Sequence, residues 1–115
     1  MSGITLTTHV LDTARGKPAA GLAVALEIRA GEVWQPLGFA VTDADGRVRR
    51  LVPEGETLIP GTYRLTFSTG AYFRNLGIEG FYPEVSIVFD VRDPEQHYHV
   101  PLLLSPFGYS TYRGS

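Results

Sequence analysis

Apolar residues in this chain recur at every second position in short runs, and the runs are separated by glycines, prolines and an Asp-Gly pair. A period of two belongs to the β-strand, whose successive side chains point to opposite faces, and not to the 3.6-residue repeat of a helix. Ile4, Leu6 and Val10 alternate with Thr5, Thr7 and His9, and Val24, Leu26 and Ile28 alternate with Ala23, Ala25, Glu27 and Arg29. Leu37, Phe39 and Val41 follow, then a short run from Arg47 to Val52, then Tyr63, Leu65 and Phe67. Val85, Ile87, Phe89 and Val91 come next, then Val100 and Leu102, and last the run Tyr109 to Arg113. About eight strands at such close spacing predict an all-β sandwich or small barrel. One segment breaks the pattern: Gly70 to Gly77 is predicted to form about two helical turns, with Tyr72, Phe73 and Leu76 on one face.

The 115 residues fit one domain, spanning 1–115, with no room for a second core. A hydrophobic fraction of 43% with only 19% charged residues excludes a disordered chain. The net charge of −2 gives no pull toward nucleic acid or an anionic membrane, and no apolar run is long enough to span a bilayer. The first ten residues, threaded with Ser and Thr, do not read as a signal peptide. There is no cysteine, hence no disulfide framework or thiolate chemistry, and a cytoplasmic location is expected. No cofactor is expected.

The residues that point away from the core carry the chemistry. With Leu6 and Val10 facing inward, His9 faces outward beside Thr7 and Leu11. With Tyr98, Val100 and Leu102 inward, His97 and His99 share the opposite face. Arg47 follows Asp45-Gly46, whose glycine tolerates the left-handed backbone of a tight turn, so the turn fixes where Arg47 enters its strand, with Arg49 on the same side. Leu11, Pro101 and Leu103 share these outer faces, and a sheet that is half-apolar on its outer side is expected to be covered by another subunit. Other readings stand beside this one. His97 and His99 are placed as a metal pair would be, but no Asp, Glu or Cys joins them on that face, and no metal site is expected. Asp43 and Asp45 resemble the start of a calcium loop that lacks its terminal Glu and flanking helices, and a turn accounts for them. Trp34 reads as a strand-edge packing residue, and His97 as a support or surface residue.

Four motifs in order carry a family resemblance. Leu6-Thr7-Thr8-His9-Val10-Leu11-Asp12 with Gly16-Lys17-Pro18-Ala19 resembles the amino-terminal signature of transthyretin-like proteins. Thr42-Asp43-Ala44-Asp45-Gly46-Arg47 resembles their arginine-bearing turn, with Ala44 where relatives often have a polar residue. His97 to Pro106 resembles the strand bearing a second histidine, and Tyr112-Arg113-Gly114-Ser115 the tetrapeptide that separates the 5-hydroxyisourate hydrolase branch from transthyretin itself.

The resemblance implies a sandwich of two four-stranded sheets with one short helix, assembled as a homotetramer with active sites at the dimer–dimer interface. It implies that the first, fourth, seventh and eighth strands form one sheet. The implied reaction is hydrolysis of 5-hydroxyisourate to 2-oxo-4-hydroxy-4-carboxy-5-ureidoimidazoline in urate breakdown. His9, Arg47, His99 and Ser115 are the implied catalytic residues, and Tyr112, Arg113 and Gly114 join His9, Arg47 and Ser115 in binding substrate. An imidazole near its ordinary pKa of ~6.5 can move a proton at neutral pH, and a guanidinium is a permanent cation suited to a planar, electron-rich ring. The alternative is a transthyretin-like carrier of a small ligand with no enzymatic activity.

Overall fold

The computed structural model describes residues 5–52, 58–93 and 95–114. Ile4 and Ser115, both named above, lie outside the described residues. In chain order the elements are β1 (Thr5–Asp12), β2 (Lys17–Pro18), β3 (Ala23–Ala30), β4 (Val33–Val41) and β5 (Arg47–Val48). They continue with β6 (Gly61–Phe67), α1 (Thr69–Asn75), β7 (Val85–Val91), β8 (His97–Ser105) and β9 (Gly108–Thr111). One sheet runs β2-β1-β8-β9, with β5 also paired to β1, and the other runs β4-β3-β6-β7. The first sheet therefore holds the four strands the resemblance implies, plus the two-residue β2, which gives it five strands to the other's four.

The two sheets face each other across a single apolar core. Leu6, Val10, Tyr98, Val100, Leu102 and Leu104 come from the first sheet, and Val24, Leu26, Tyr63, Leu65, Phe67 and Val85 from the second. The alternation seen in the sequence maps onto inside and outside except in β4, where the extra residue Leu37 shifts the register against β3 so that Phe39 and Val41 are exposed. Truncating a core leucine such as Leu26 to Ala costs ~2–5 kcal/mol in transfer and cavity terms. Buried polar side chains are paired. Thr8 donates to the Val100 carbonyl at 2.6 Å, and Thr42 donates to the Ala19 carbonyl at 2.7 Å while accepting from the Leu22 amide.

Helix α1 sits where the sequence placed it, with Tyr72 and Phe73 buried as expected. Leu76 differs: it is the C-cap, exposed, because the helix ends at Asn75, two residues short of the expected Gly77, and Gly77 turns the chain at φ 71°. The Tyr72 hydroxyl donates to Asp12 Oδ2 at 2.8 Å, tying the helix to the end of β1. The run Arg47 to Val52 is also shorter than expected. Only Arg47 and Val48 pair with β1, after which the chain leaves the sheet so that Leu51 can bury itself in the core. The Leu51 carbonyl then lies against Gly38 of β4, where any Cβ would overlap it.

Candidate active site

Two registers decide what the outer face of the β1–β8 sheet displays. β8 runs parallel to β1 with Thr7 opposite His99, and β5 runs antiparallel to β1 with Arg47 opposite His9. Residues opposite one another on adjacent strands present their side chains on the same face. Three segments far apart in sequence therefore deliver His9, Arg47, His97 and His99 to one side of one sheet.

The turn before β5 is built to hold Arg47 there. Asp43 accepts hydrogen bonds at Oδ1 from the amides of Asp45 (2.9 Å) and Arg47 (3.0 Å), and the Asp43 amide donates to the Arg47 carbonyl. These bonds to its charged form, that of Arg47 first, hold the Asp43 carboxyl below the usual carboxylate range. Gly46 adopts φ 74°, and its carbonyl accepts from the Val10 amide, locking the turn onto β1. A turn therefore accounts for Asp43 and Asp45 entirely. Arg49 lies 3.9 Å from both carboxylates at 71% exposure, and pairs this exposed contribute little to stability.

Thr7, Arg47, Arg49, His97 and His99 line a groove of about 250 Å³ on this face, with His9 two residues along β1 from Thr7. His9, Arg47 and His99 are half-buried, whereas His97 is exposed. The rings of His97 and His99 stack with centroids 6.4 Å apart and planes 13° from parallel, as residues two apart on one strand should. The hydroxyl of Thr7 lies 2.7 Å from His99 Nδ1 and 3.4 Å from His97 Nε2. Burial disfavours the imidazolium of His99, and the neighbouring His97, Arg47 and His9 add to this, so its pKa falls below that of a free imidazole. A hydrogen bond to the Thr7 main chain acts in the opposite direction. The neutral, proton-accepting form of His99 is thereby favoured beside the Arg47 guanidinium. Among the described residues no three His, Asp or Glu gather as a metal site would require.

The terminal segment closes one flank. β9 pairs with β8 through Leu102↔Thr111, and the ladder resumes in the same register at His99↔Gly114, where the Gly114 amide donates to the His99 carbonyl at 2.8 Å. A Cβ on Gly114 would come within 2.5 Å of His99 Cδ2, so only glycine permits this approach. Arg113 does not join the imidazoles. Its guanidinium stacks over the Tyr98 ring at 4.6 Å and donates to Gln96 Oε1 at 2.7 Å. Strand alternation explains this, because Arg113 falls on the side of Val100 and Gly114 on the side of His99. Tyr112, largely exposed, and Arg113 line an apolar recess of about 230 Å³ with Ile87, Phe89, Tyr98 and His99. Sequence reasoning assigned no role to Thr7. Its signal was present, as a hydroxyl on the His9 face, but its meaning depends on the β1–β8 register. Trp34 packs on edge strand β4 beneath Arg64, 4.5 Å from its ring, in keeping with a packing role.

A 5-hydroxyisourate hydrolase of Caulobacter vibrioides is 52% identical, the match covering 100% of both chains. The solved 5-hydroxyisourate hydrolase of Klebsiella pneumoniae superposes with a TM-score of 0.84 at 39% identity, covering 96% of this chain and 99% of that one. Sea bream transthyretin, solved in complex with thyroxine, superposes at 0.88 with 34% identity, covering 95% of this chain and 93% of that one. The model of the HIUase/Transthyretin family matches residues 6–114, and with the likeness running over the whole sandwich and through every site strand, the chain belongs to that family.

Proposed function

We propose that this protein hydrolyses 5-hydroxyisourate to 2-oxo-4-hydroxy-4-carboxy-5-ureidoimidazoline, a step of urate breakdown, and does so in the groove on the β1–β8 face. The observation that carries this reading is the convergence of two imidazoles and a guanidinium from β1, β5 and β8 beside a glycine bridge to the terminal segment. The full-length likeness to a 5-hydroxyisourate hydrolase supports it. Overall shape does not separate hydrolase from carrier, since transthyretin superposes equally well. The groove does, because His and Arg suit a polar, electron-rich ring better than an apolar hormone.

Hydrolysis opens a cyclic acyl–nitrogen bond. Water must lose a proton as it attacks the carbonyl, the leaving nitrogen must gain one, and the oxygen that becomes anionic needs positive charge nearby. His9 and His99 position and deprotonate the water, a service worth about 10²–10⁴-fold. Arg47 holds the planar substrate and stabilises the developing oxyanion. The Gly114 bridge supports a role for the Ser115 hydroxyl in the same site, with Tyr112 contributing from the adjoining recess that His99 also lines. Arg113 serves by holding the terminal segment through Tyr98 rather than by touching substrate. The half-apolar outer face, with Leu11 opposite Leu103, is covered by further copies in a homotetramer whose dimer–dimer interface closes the groove. The enzyme works in the cytoplasm, without a metal or cofactor.

The test adds purified protein to freshly generated 5-hydroxyisourate and follows the ultraviolet absorbance, beside His99→Ala. Decay well above the spontaneous rate, lost in the variant, is expected. Decay at the spontaneous rate overturns the hydrolase reading.

A further inference from the structure

We propose that Thr7 and His97 form a proton relay behind His99, which lets one imidazole act first as base and then as acid within a turnover. The proposal rests on the hydrolase reading and assigns the proton transfers to a particular atom.

A neutral imidazole has one N–H and one lone pair, so whatever its first nitrogen does fixes the role of the second. His99 Nδ1 is engaged by Thr7, which leaves Nε2 as the nitrogen for water and substrate. A hydroxyl both donates and accepts, and Thr7 Oγ1 is placed between His99 Nδ1 at 2.7 Å and His97 Nε2 at 3.4 Å. The chain of bonds has two arrangements. In one, His99 Nδ1–H donates to Thr7, Thr7 O–H donates to His97 Nε2, and His99 Nε2 presents a lone pair. In the other, which holds one proton more, every bond is reversed, His97 carries the positive charge as an imidazolium, and His99 Nε2 presents a proton.

The reaction passes between them with atoms in balance. Water gives a proton to His99 Nε2 as its oxygen bonds to the carbonyl carbon. The Nδ1 proton moves to Thr7 Oγ1, and the Thr7 proton moves to His97 Nε2. When the C–N bond breaks, the Nε2 proton goes to the leaving nitrogen. The relay runs back, His97 returning a proton to Thr7 and Thr7 one to Nδ1. The net change is one water added across the acyl–nitrogen bond.

Every state of His99 on this path is neutral. That suits a half-buried site where His97, Arg47 and His9 all oppose an imidazolium. A lone His99 would have to become that imidazolium between the two transfers. His97 is exposed, so it can exchange a lost proton with solvent between turnovers.

The test uses Thr7→Val, which keeps the side-chain volume and removes the hydroxyl, beside Thr7→Ser and His97→Gln in the full-length protein. Expected for Thr7→Val is a fall in kcat of roughly tenfold to a hundredfold, with KM changed by less than about twofold. Thr7→Ser, which keeps the hydroxyl, restores most of the rate. His97→Gln, which hydrogen-bonds without passing a proton, falls as Thr7→Val does. Nitrogen-15 spectra of the His99 ring give a readout independent of turnover: both tautomers in exchange in the native protein, and one in Thr7→Val. A Thr7→Val or His97→Gln protein with native kcat overturns the relay, as does equal loss in Thr7→Ser and Thr7→Val. A native ring with one tautomer that Thr7→Val leaves unchanged also overturns it. If the native protein does not turn over, the hydrolase reading fails while the spectra still decide the relay.

Discussion

Arg47 and His99 illustrate how one residue sets another's chemistry. Burial first, and then the charges of His97, Arg47 and His9, depress the pKa of His99, so the proton-accepting form persists below the usual imidazole range. Under the proposed mechanism the rate falls as pH drops through that lowered value and holds above it. Arg47→Gln removes one of the opposing charges. We expect the acid limb of the kcat profile to move to higher pH, together with a loss of about 10²–10³-fold at the optimum from the missing oxyanion partner. A pH–rate series on both proteins checks the sign. Tyr72 shows the structural counterpart. Its hydroxyl satisfies the buried Asp12 carboxylate, and Tyr72→Phe is expected to cost ~1–3 kcal/mol in urea unfolding while leaving the groove untouched.

Two glycines do the positioning at the level of elements. Gly46 combines φ 74° with a position where a Cβ would overlap the Val10 carbonyl oxygen, so Gly46→Ala forces the β5 turn off β1. About 1–3 kcal/mol of stability should be lost, read as a lower thermal midpoint, with activity falling further because Arg47 moves with the turn. Gly114 lies instead at the end of a ladder. Gly114→Ala would push the terminal segment away from His99 Cδ2 without disturbing the core. Its expected signature is reduced turnover with an unchanged melting curve, and deletion of Ser115 is expected to act the same way.

At the scale of the whole molecule, the outer face of the β1–β8 sheet is too apolar for a wet surface. Leu11 and Leu103 sit opposite each other, half-buried, beside a buried Pro101 and the imidazoles. If copies of the chain cover this face, Leu103→Glu places an unpaired charge in the interface. Sedimentation velocity should then show a smaller species than the native protein, and activity should fall with it. A native protein that sediments as a monomer at micromolar concentration would remove the shared-interface element of the proposal.

Alternation alone determined the strand class, the inward side of β1, β3, β6, β7 and β8, and the outward placing of His9, His97 and His99, because a period of two fixes facing wherever a strand runs unbroken. In β4 the bulge at Leu37 reverses it, turning Phe39 and Val41 outward. Asp45-Gly46 located the turn, because few dipeptides accept its backbone. Alternation says nothing about which strand lies beside which. The parallel β1–β8 register that puts Thr7 against His99, the early departure of β5 after Val48, and the diversion of Arg113 onto Tyr98 are long-range pairings. Those depend on how the two sheets close over a common core, and only the tertiary structure decided them.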